Sequence, residues 1–218
     1  MKNKQFAVFG IGRFGSSVAK CLVSQGYEVL AVDSDEERIQ KMSDIMTHAV
    51  CADSTDEETL KSLGIRNFDA VVVAIGHDVQ ASVMTTLLLK ELGVGYIVAK
   101  AQNALHGKML EKIGADRVVY PERDMGLRIA HNLISTNVLE FIELSPELSI
   151  VEVAVPRSMV GQSLANSNLR AEYGLNLVAL KRGESIIVTL KPVEVFRQGD
   201  ILFVIGETKG IRRLEQVD

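Results

Sequence analysis

The chain has 218 residues, of which 24% are charged, and a formal net charge of −4. This size suits one medium domain plus a small one, and the negative balance offers no broad basic surface, so nucleic acid is excluded as an expected partner. No apolar run approaches the roughly 18 residues of a membrane-spanning helix, and the N-terminal MKNKQF leads straight into a predicted strand rather than a signal peptide.

The N-terminal part alternates short β-rich runs with helical stretches up to about residue 135. Several runs are continuously apolar, which is typical of strands buried on both faces of a parallel sheet. Helical stretches that end in glycine fill the gaps, and Ser54 with Glu57 has the spacing of a capping box. The fold class predicted is α/β, a Rossmann-type doubly wound six-stranded parallel sheet. Its strands are expected at 5–9, 28–32, 47–51, 70–74, 96–100 and 117–120.

The pattern changes near Ser149, where runs such as SIVEVAV and DILFVIG alternate apolar and polar residues. Hairpin-like KRGES joins two of them, and short helices are expected at 162–171 and 209–216, which together predict a small α+β domain. A crossover helix at 122–135 precedes Pro146. We therefore expect a nucleotide-binding domain at 1–145 and a C-terminal domain at 146–218.

The stretch FAVFGIGRFGSS carries Gly10, Gly12 and Gly15 in the spacing of a dinucleotide-binding loop. These glycines follow the first strand and open the first helix. Gly10 allows the tight turn, Gly12 lets the backbone approach a phosphate, and Gly15 lets the helix pack on the sheet. The helix N-terminus then offers free N–H groups to phosphate.

Two further residues refine the nucleotide prediction. Asp33 lies 23 residues after Gly10 at the end of the second strand. Its carboxylate can accept ribose hydroxyls and would repel a 2′-phosphate, which favours NAD or adenosine phosphates over NADP. Arg13 is placed to clamp a phosphate; the alternative is a solvent-facing residue at a variable motif position.

The same sheet edge carries more candidates. Asp53 follows the third strand, and Ile75 with Gly76 follows the fourth. Lys100 ends the fifth strand and could reach a phosphate, and Glu122 could contact a metal or the nucleotide. Each has a plainer alternative: Asp53 as a helix-entry residue, Lys100 as a solvated lysine, and Glu122 as an acid favouring a helix N-terminus.

The sequence gives little support for catalysis. Residues 146–218 contain no histidine, and the four histidines elsewhere have no metal-ligand spacing. The only Tyr-x-x-x-Lys match, Tyr96 to Lys100, falls inside a predicted strand, where it cannot form the helical dyad of reductases. We expect no enzyme activity. An NAD-dependent oxidoreductase or an NAD(H) redox sensor remains the alternative. Cys21 and Cys51 are expected to be small buried residues in a reducing cytoplasm.

Several motifs resemble one family across essentially the whole chain. FAVFGIGRFGSSVAKCL, EVLAVD, VVVAIG and KMLEKIGADRVVYPERDMG are similar to RCK or TrkA-type (KTN) potassium transport regulatory proteins, and FRQGDILFVIG to their C-terminal domain. The size and the YPERDMG stretch most resemble the cytosolic regulatory subunits of bacterial Ktr potassium transporters.

The resemblance implies homodimers that assemble into an octameric ring under a membrane potassium-translocating subunit, in the cytoplasm and peripheral to the membrane. ATP or ADP in the N-terminal domain would set the shape of the ring. Arg13 would contact the terminal phosphates of ATP across the dimer interface, Asp33 the ribose, and Glu122 a divalent cation near the γ-phosphate. The matched loop assigned to the nucleotide comprises Gly10, Gly12, Arg13, Phe14 and Gly15.

The resemblance also implies a cyclic di-AMP site in the C-terminal domain. The matching stretch is SLANSNLRAEYGLNLV, in which Arg170 and Asn176 would contact the ligand. Leu164, Ala165 and Pro192 would form an apolar wall, although SLANS is smaller and more polar than the apolar pair that the family pattern implies. The alternative for Arg170 is an ordinary surface helix residue.

Overall fold

Six short strands near the N-terminus pair in parallel in the order β3-β2-β1-β4-β5-β6, which confirms the predicted doubly wound sheet. The computed structural model describes residues 4–134, 138–145 and 147–217. The chain divides into two compact units, Met1–Arg123 and Asp124–Asp218. The parallel strands are β1 (Gln5–Phe9), β2 (Glu28–Asp33), β3 (His48–Cys51), β4 (Ala70–Val73), β5 (Ile97–Lys100) and β6 (Arg117–Val119).

Several strands of the parallel sheet contain continuous apolar runs because buried clusters cover both faces of the sheet. On β1, Ala7 and Phe9 belong to one buried cluster while Val8, between them, belongs to another on the opposite face. The same alternation occurs on β4, where Val71 and Val72 fall into different clusters. Successive strand residues point to opposite faces, so a continuous apolar run requires helices on both sides.

The covering helices begin at identifiable caps. Asp35, Asp78 and Asn103 accept backbone N–H groups at the starts of three helices, as short acceptor side chains do at N-caps. The predicted capping box at Ser54 and Glu57 is wrong, because Asp56 caps that helix by accepting from Thr59. The helices are α1 (Arg13–Ser24), α2 (Glu36–Met42), α3 (Glu57–Ser62), α4 (Val79–Glu91), α5 (Ala104–Lys112) and α6 (Pro121–Ile134).

The C-terminal unit is built on an antiparallel sheet in the order β10-β9-β11-β8-β7. The predicted hairpin joins β9 to β10, whereas β7 was not expected from the sequence. The predicted helix at 162–171 begins only at Leu169, since Ser163 instead forms a β-bridge with Val195. The elements are β7 (Val138–Glu143), β8 (Leu148–Ala154), α7 (Leu169–Tyr173), β9 (Leu175–Arg182), β10 (Ser185–Ile187), β11 (Ile201–Glu207) and α8 (Thr208–Glu215).

The terminal motif GDILFVIG has a structural explanation. Gly199 has φ +85°, which favours glycine, and Asp200 is 1% exposed. Asp200 accepts two hydrogen bonds from the guanidinium of Arg182, at 2.9 and 2.7 Å. At Gly206 an added Cβ would lie 2.8 Å from the carbonyl oxygen of Gly174, so a side chain would prevent the close approach there. The motif therefore specifies a turn, a buried ion pair and a tight contact.

Two further expectations from the sequence concern the burial of the cysteines and the position of the domain boundary. Cys21 and Cys51 were expected to be buried, but both are exposed. The predicted domain boundary near residue 145 stays a prediction, and the last residue of the expected crossover helix, 135, lies outside the described residues.

Candidate nucleotide-binding site

A cleft of about 500 Å³ opens at the carboxyl edge of the parallel sheet. The strand order reverses at β1, which lies between β2 and β4, and such switch points are where open α/β sheets bind ligands. The cleft brings together most of the residues predicted for the nucleotide. They are Gly10, Gly12, Arg13, Phe14, Asp33, Asp53, Ile75, Gly76, Lys100 and Glu122.

The glycine loop is shaped as its spacing predicts. Gly10 has φ +88°, and an added Cβ at Gly15 would lie 1.9 Å from the carbonyl oxygen of Gly10. Gly15 is not among the residues that line the cleft, and its missing side chain instead lets α1 pack against the loop. Gly12, at the N-cap of α1, has no atom within 4 Å of such a Cβ, and no side chain caps the helix. The free N–H groups at this end of α1 can therefore receive an anionic group.

Asp33 holds the loop as well as facing the cleft. Its side chain is 6% exposed, and Oδ2 accepts the Ile11 N–H at 2.6 Å while Oδ1 accepts the Asp35 N–H at 2.9 Å. A carboxylate offers about four acceptor sites, so capacity remains for a ribose hydroxyl. The end of the second strand is thereby tied to the phosphate loop.

Arg38 is a cleft residue that the sequence reasoning missed. It lies on α2, with Nη1 at 3.4 Å from Oδ2 of Asp33 and Nε at 3.2 Å from Oδ2 of Asp35. This cation partly offsets the charge of Asp33, which weakens the expected repulsion of a 2′-phosphate. The sequence could have indicated Arg38, because it lies five residues after Asp33 and an arginine near that acid can accommodate a 2′-phosphate in this fold.

Asp53 lies in the cleft but is already engaged. Its Oδ1 accepts the backbone N–H of Thr55 at 2.8 Å and the Thr55 hydroxyl at 2.7 Å. Ser54 contacts the hydroxyl of Thr85 on α4 at 2.8 Å. Both side chains shape the loop after β3, which agrees with the plainer alternative for Asp53, a residue of the helix entry.

Lys100 and Glu122 form an ion pair at the opposite side of the cleft from Asp33, with Nζ 2.6 Å from Oε1. The hydrogen bond from Lys100 lowers the pKa of Glu122, and the charge of Arg13 acts in the same direction. Lys100 also lies 5.8 Å from the centre of the Phe14 ring. Arg13, Lys100 and Glu122, which were predicted as separate candidates, thus form one cluster of charges.

A divalent cation fits this cluster only with help from a ligand. Among the described residues, no group of three or more His, Cys, Asp or Glu side chains could hold a metal ion. Mg²⁺ is commonly bound by one or two carboxylates plus substrate phosphates, so Glu122 suits a cation site that the nucleotide completes.

The residues predicted to bind cyclic di-AMP in the C-terminal unit comprise three apolar wall residues and two polar residues. The Ala165 N–H donates to the Pro192 carbonyl at 2.9 Å, and the Leu164 N–H to that of Glu194 at 2.8 Å, so the predicted wall residues are adjacent. Arg170 on α7 and Asn176 on β9 are both exposed. The structure joins the wall residues to one another directly but leaves the two polar candidates available to a ligand.

Comparison with known proteins identifies the family. The TrkA-N domain model matches residues 6–121, and the TrkA-C domain model matches residues 148–217. The chain is 54% identical to Ktr system potassium uptake protein C of Bacillus subtilis over 98% of this chain and 96% of that protein. It is 50% identical to Ktr system potassium uptake protein A of the same organism, over 99% and 97%.

The chain belongs to the TrkA-type Ktr family. The resemblance inferred from the motifs is therefore confirmed. A solved structure of the GsuK channel matches this Ktr-family chain with a TM-score of 0.72 at 20% identity, covering 99% of this chain and 39% of the channel chain. That likeness supports the fold. No helix in the described part of the Ktr-family chain is long and apolar enough to cross a membrane.

Proposed function

We propose that this protein is a nucleotide-sensing regulatory subunit of a potassium uptake system and that it has no enzyme activity. ATP or ADP occupies the cleft, and the occupant sets the state of the membrane potassium-translocating partner. The relatives named as Ktr potassium uptake proteins, matched over nearly their whole length, support the transport role.

The observation that carries the proposal is the charge cluster of Arg13, Lys100 and Glu122 in the cleft. β2 and β5 are three strand positions apart, so Asp33 and Lys100 are separated by about 14 Å across the sheet. A nucleotide with its ribose at Asp33 and its phosphates at the start of α1 directs its last phosphate toward the cluster. A hydride-transfer site would need a substrate pocket and a proton-transfer group there instead.

The difference between ATP and ADP supplies the signal. Only the γ-phosphate reaches the cluster, and Glu122 holds a divalent cation beside it. A ligand shifts a conformational equilibrium only through contacts that differ between states, and these contacts exist for ATP alone. The two nucleotides therefore stabilise different arrangements of the protein.

Exposed apolar surfaces support assembly into homodimers and an octameric ring. α6 exposes Met125, Ile129 and Leu133, which follow one another at i, i+4 and i+8 on one face of the helix, the last at 81%. α4 and α5 form a second apolar surface, a depression of about 420 Å³ lined by Val79, Gln80, Val83, Met84, Leu87 and Met109. Contiguous exposed apolar patches mark interaction sites, and a second copy of the chain is the occupant we propose for each. The assembly would be cytoplasmic and peripheral to the membrane.

Cyclic di-AMP is the second ligand we propose. It would bind in the C-terminal unit against Leu164, Ala165 and Pro192, with Arg170 and Asn176 supplying polar contacts. The adjacency of the three wall residues supports this assignment.

The test is to identify the nucleotide that co-purifies with the protein and then to titrate ATP, ADP, NAD and NADH calorimetrically. We expect ATP and ADP to bind tightly without turnover. Tighter binding of NADH than of ATP would replace the proposal with the alternative, an NAD(H) redox sensor or an NAD-dependent oxidoreductase.

A further inference from the structure

Lys100 occupies the position beside Glu122 where the proposed cation would bind. The Nζ and Oε1 atoms are 2.6 Å apart, yet the two side chains differ greatly in exposure, at 12% for Lys100 and 71% for Glu122. Ion pairs with an exposed partner contribute little to stability, so this pair can exchange for another. The buried member of the pair is the lysine, and the movable member is the glutamate.

Two contacts keep the ammonium group inside the cleft. The Phe14 ring, from the glycine loop itself, attracts it at 5.8 Å. The aliphatic stem passes over Gly76, where an added Cβ would lie 3.4 Å from Nζ and 3.7 Å from Cε. Gly76 therefore provides the space through which Lys100 reaches Glu122. Lys100 cannot leave the cleft without losing both contacts.

We infer that Lys100 is the resident counter-charge of Glu122, so that ATP binding does not require a divalent cation, and that a cation bound beside the γ-phosphate competes with Lys100 for the carboxylate. This inference rests on the proposed function. With Lys100 present, the ammonium can bond the γ-phosphate and Glu122 together. Without it, the carboxylate and the γ-phosphate repel each other unless a cation lies between them.

The consequence is a specific change in metal dependence. In a Lys100→Met variant, ATP affinity should be much weaker in EDTA and largely restored by Mg²⁺. ADP has no γ-phosphate to face Glu122, so its affinity should change little with Mg²⁺ in either protein. The ratio of ATP dissociation constants in EDTA and in Mg²⁺ isolates the effect from a general loss of binding.

The experiment titrates ATP and ADP into the full-length wild type and Lys100→Met, each in EDTA and in Mg²⁺. Lys90→Met is the matched control, because Lys90 also pairs with an acid, Asp116 at 3.4 Å, but outside the cleft. We expect the EDTA-to-Mg²⁺ ratio for ATP to rise about 10-fold in Lys100→Met, the effect of one hydrogen bond to a charged group. The control should keep the wild-type ratio.

A double variant, Lys100→Met with Glu122→Gln, removes the repelling carboxylate and should recover ATP affinity in EDTA. If Lys100→Met does not fold, Lys100→Gln serves in its place. An unchanged ratio, or no recovery in the double variant, overturns the inference while leaving the proposed function in place. If wild-type protein bound NADH in preference to ATP, the proposed function would fall and this inference with it.

Discussion

The backbone N–H of Ile11 donates to Oδ2 of Asp33 at 2.6 Å, joining the glycine loop to the end of the second strand. Asp33 is 7% exposed, so this bond is shielded from water. The residue expected to bind ribose is therefore also the residue that fixes the loop expected to bind phosphate.

Asp33→Ala should weaken ATP and ADP by the same factor, because both share the ribose and the loop. It should also lower the free energy of unfolding by about 1–3 kcal/mol, since the Ile11 N–H loses its acceptor. Asp33→Asn, which keeps an acceptor oxygen, is the control and should lose less stability. Calorimetry and urea unfolding measure the two effects. A loss confined to ATP would contradict the shared role.

Arg13→Ala should weaken ATP more than ADP, because Arg13 lies with Lys100 and Glu122 at the proposed γ-phosphate end. Arg38→Ala is the matched comparison. Arg38 lies beside Asp33, at 3.4 Å, and should affect both nucleotides equally. The loss of one bidentate contact should weaken nucleotide affinity about 10-fold or more. Equal losses of ATP and ADP in Arg13→Ala would show that Arg13 does not read the γ-phosphate.

Arg182→Met should destabilise the protein by about 3 kcal/mol, because it leaves the carboxylate of Asp200 buried without its cation. Asp200 is 1% exposed, and Arg182 also bonds Oε1 of Glu194 at 2.9 Å. Arg212→Met, at an exposed position of α8, should change stability little. Chemical unfolding of the three proteins compares them. Near-wild-type stability of Arg182→Met would mean that other groups compensate Asp200.

Stability should fall as the pH drops below about 6.5, the ordinary histidine value. His106 is 2% exposed and its burial lowers its pKa. The Gln102 N–H donates to Nδ1 at 3.3 Å, a bond that protonation would remove. The unfolded chain therefore takes up the proton first, and stability declines from the unfolded pKa down to the folded one, by at most about 1.4 kcal/mol per pH unit.

Urea unfolding at pH 7.5 and 5.5 measures this loss. His106→Gln should reduce the difference between the two pH values, whereas His48→Gln, at an exposed strand position, should not. The same slope in His106→Gln as in wild type would assign the pH dependence to another group.

Arg170→Ala should reduce cyclic di-AMP binding and leave ATP binding intact, since Arg170 lies in the C-terminal unit and the cleft in the other. Calorimetric titration with each ligand measures both. Arg213→Ala, a second exposed arginine of the C-terminal unit, is the control. Unchanged cyclic di-AMP binding in Arg170→Ala would remove Arg170 from the proposed site.

Local patterns predicted the parallel strands closely, because continuous apolar runs have few other uses. The sequence was a poorer guide where several neighbouring polar residues could each cap a helix or pair with another segment. Ser54 was expected to cap α3, but Asp56 is the N-cap of that helix, because the Ser54 hydroxyl is hydrogen-bonded to Thr85 on α4. The helix expected from Gln162 was displaced because the Ser163–Val195 bridge, with a partner distant in sequence, orders its first residues.

The sequence by itself determined the order of elements, the glycine loop and the acid after the second strand, because each depends on local periodicity or fixed spacing. The tertiary structure decided which charges meet. Lys100 and Glu122 are 22 residues apart in the chain, and Arg182 and Asp200 are 18 apart. Strand order brings the first pair to one sheet edge, and antiparallel pairing of β9 with β11 brings the second pair together. Ion pairing depends on distance in space, which residue spacing alone does not encode.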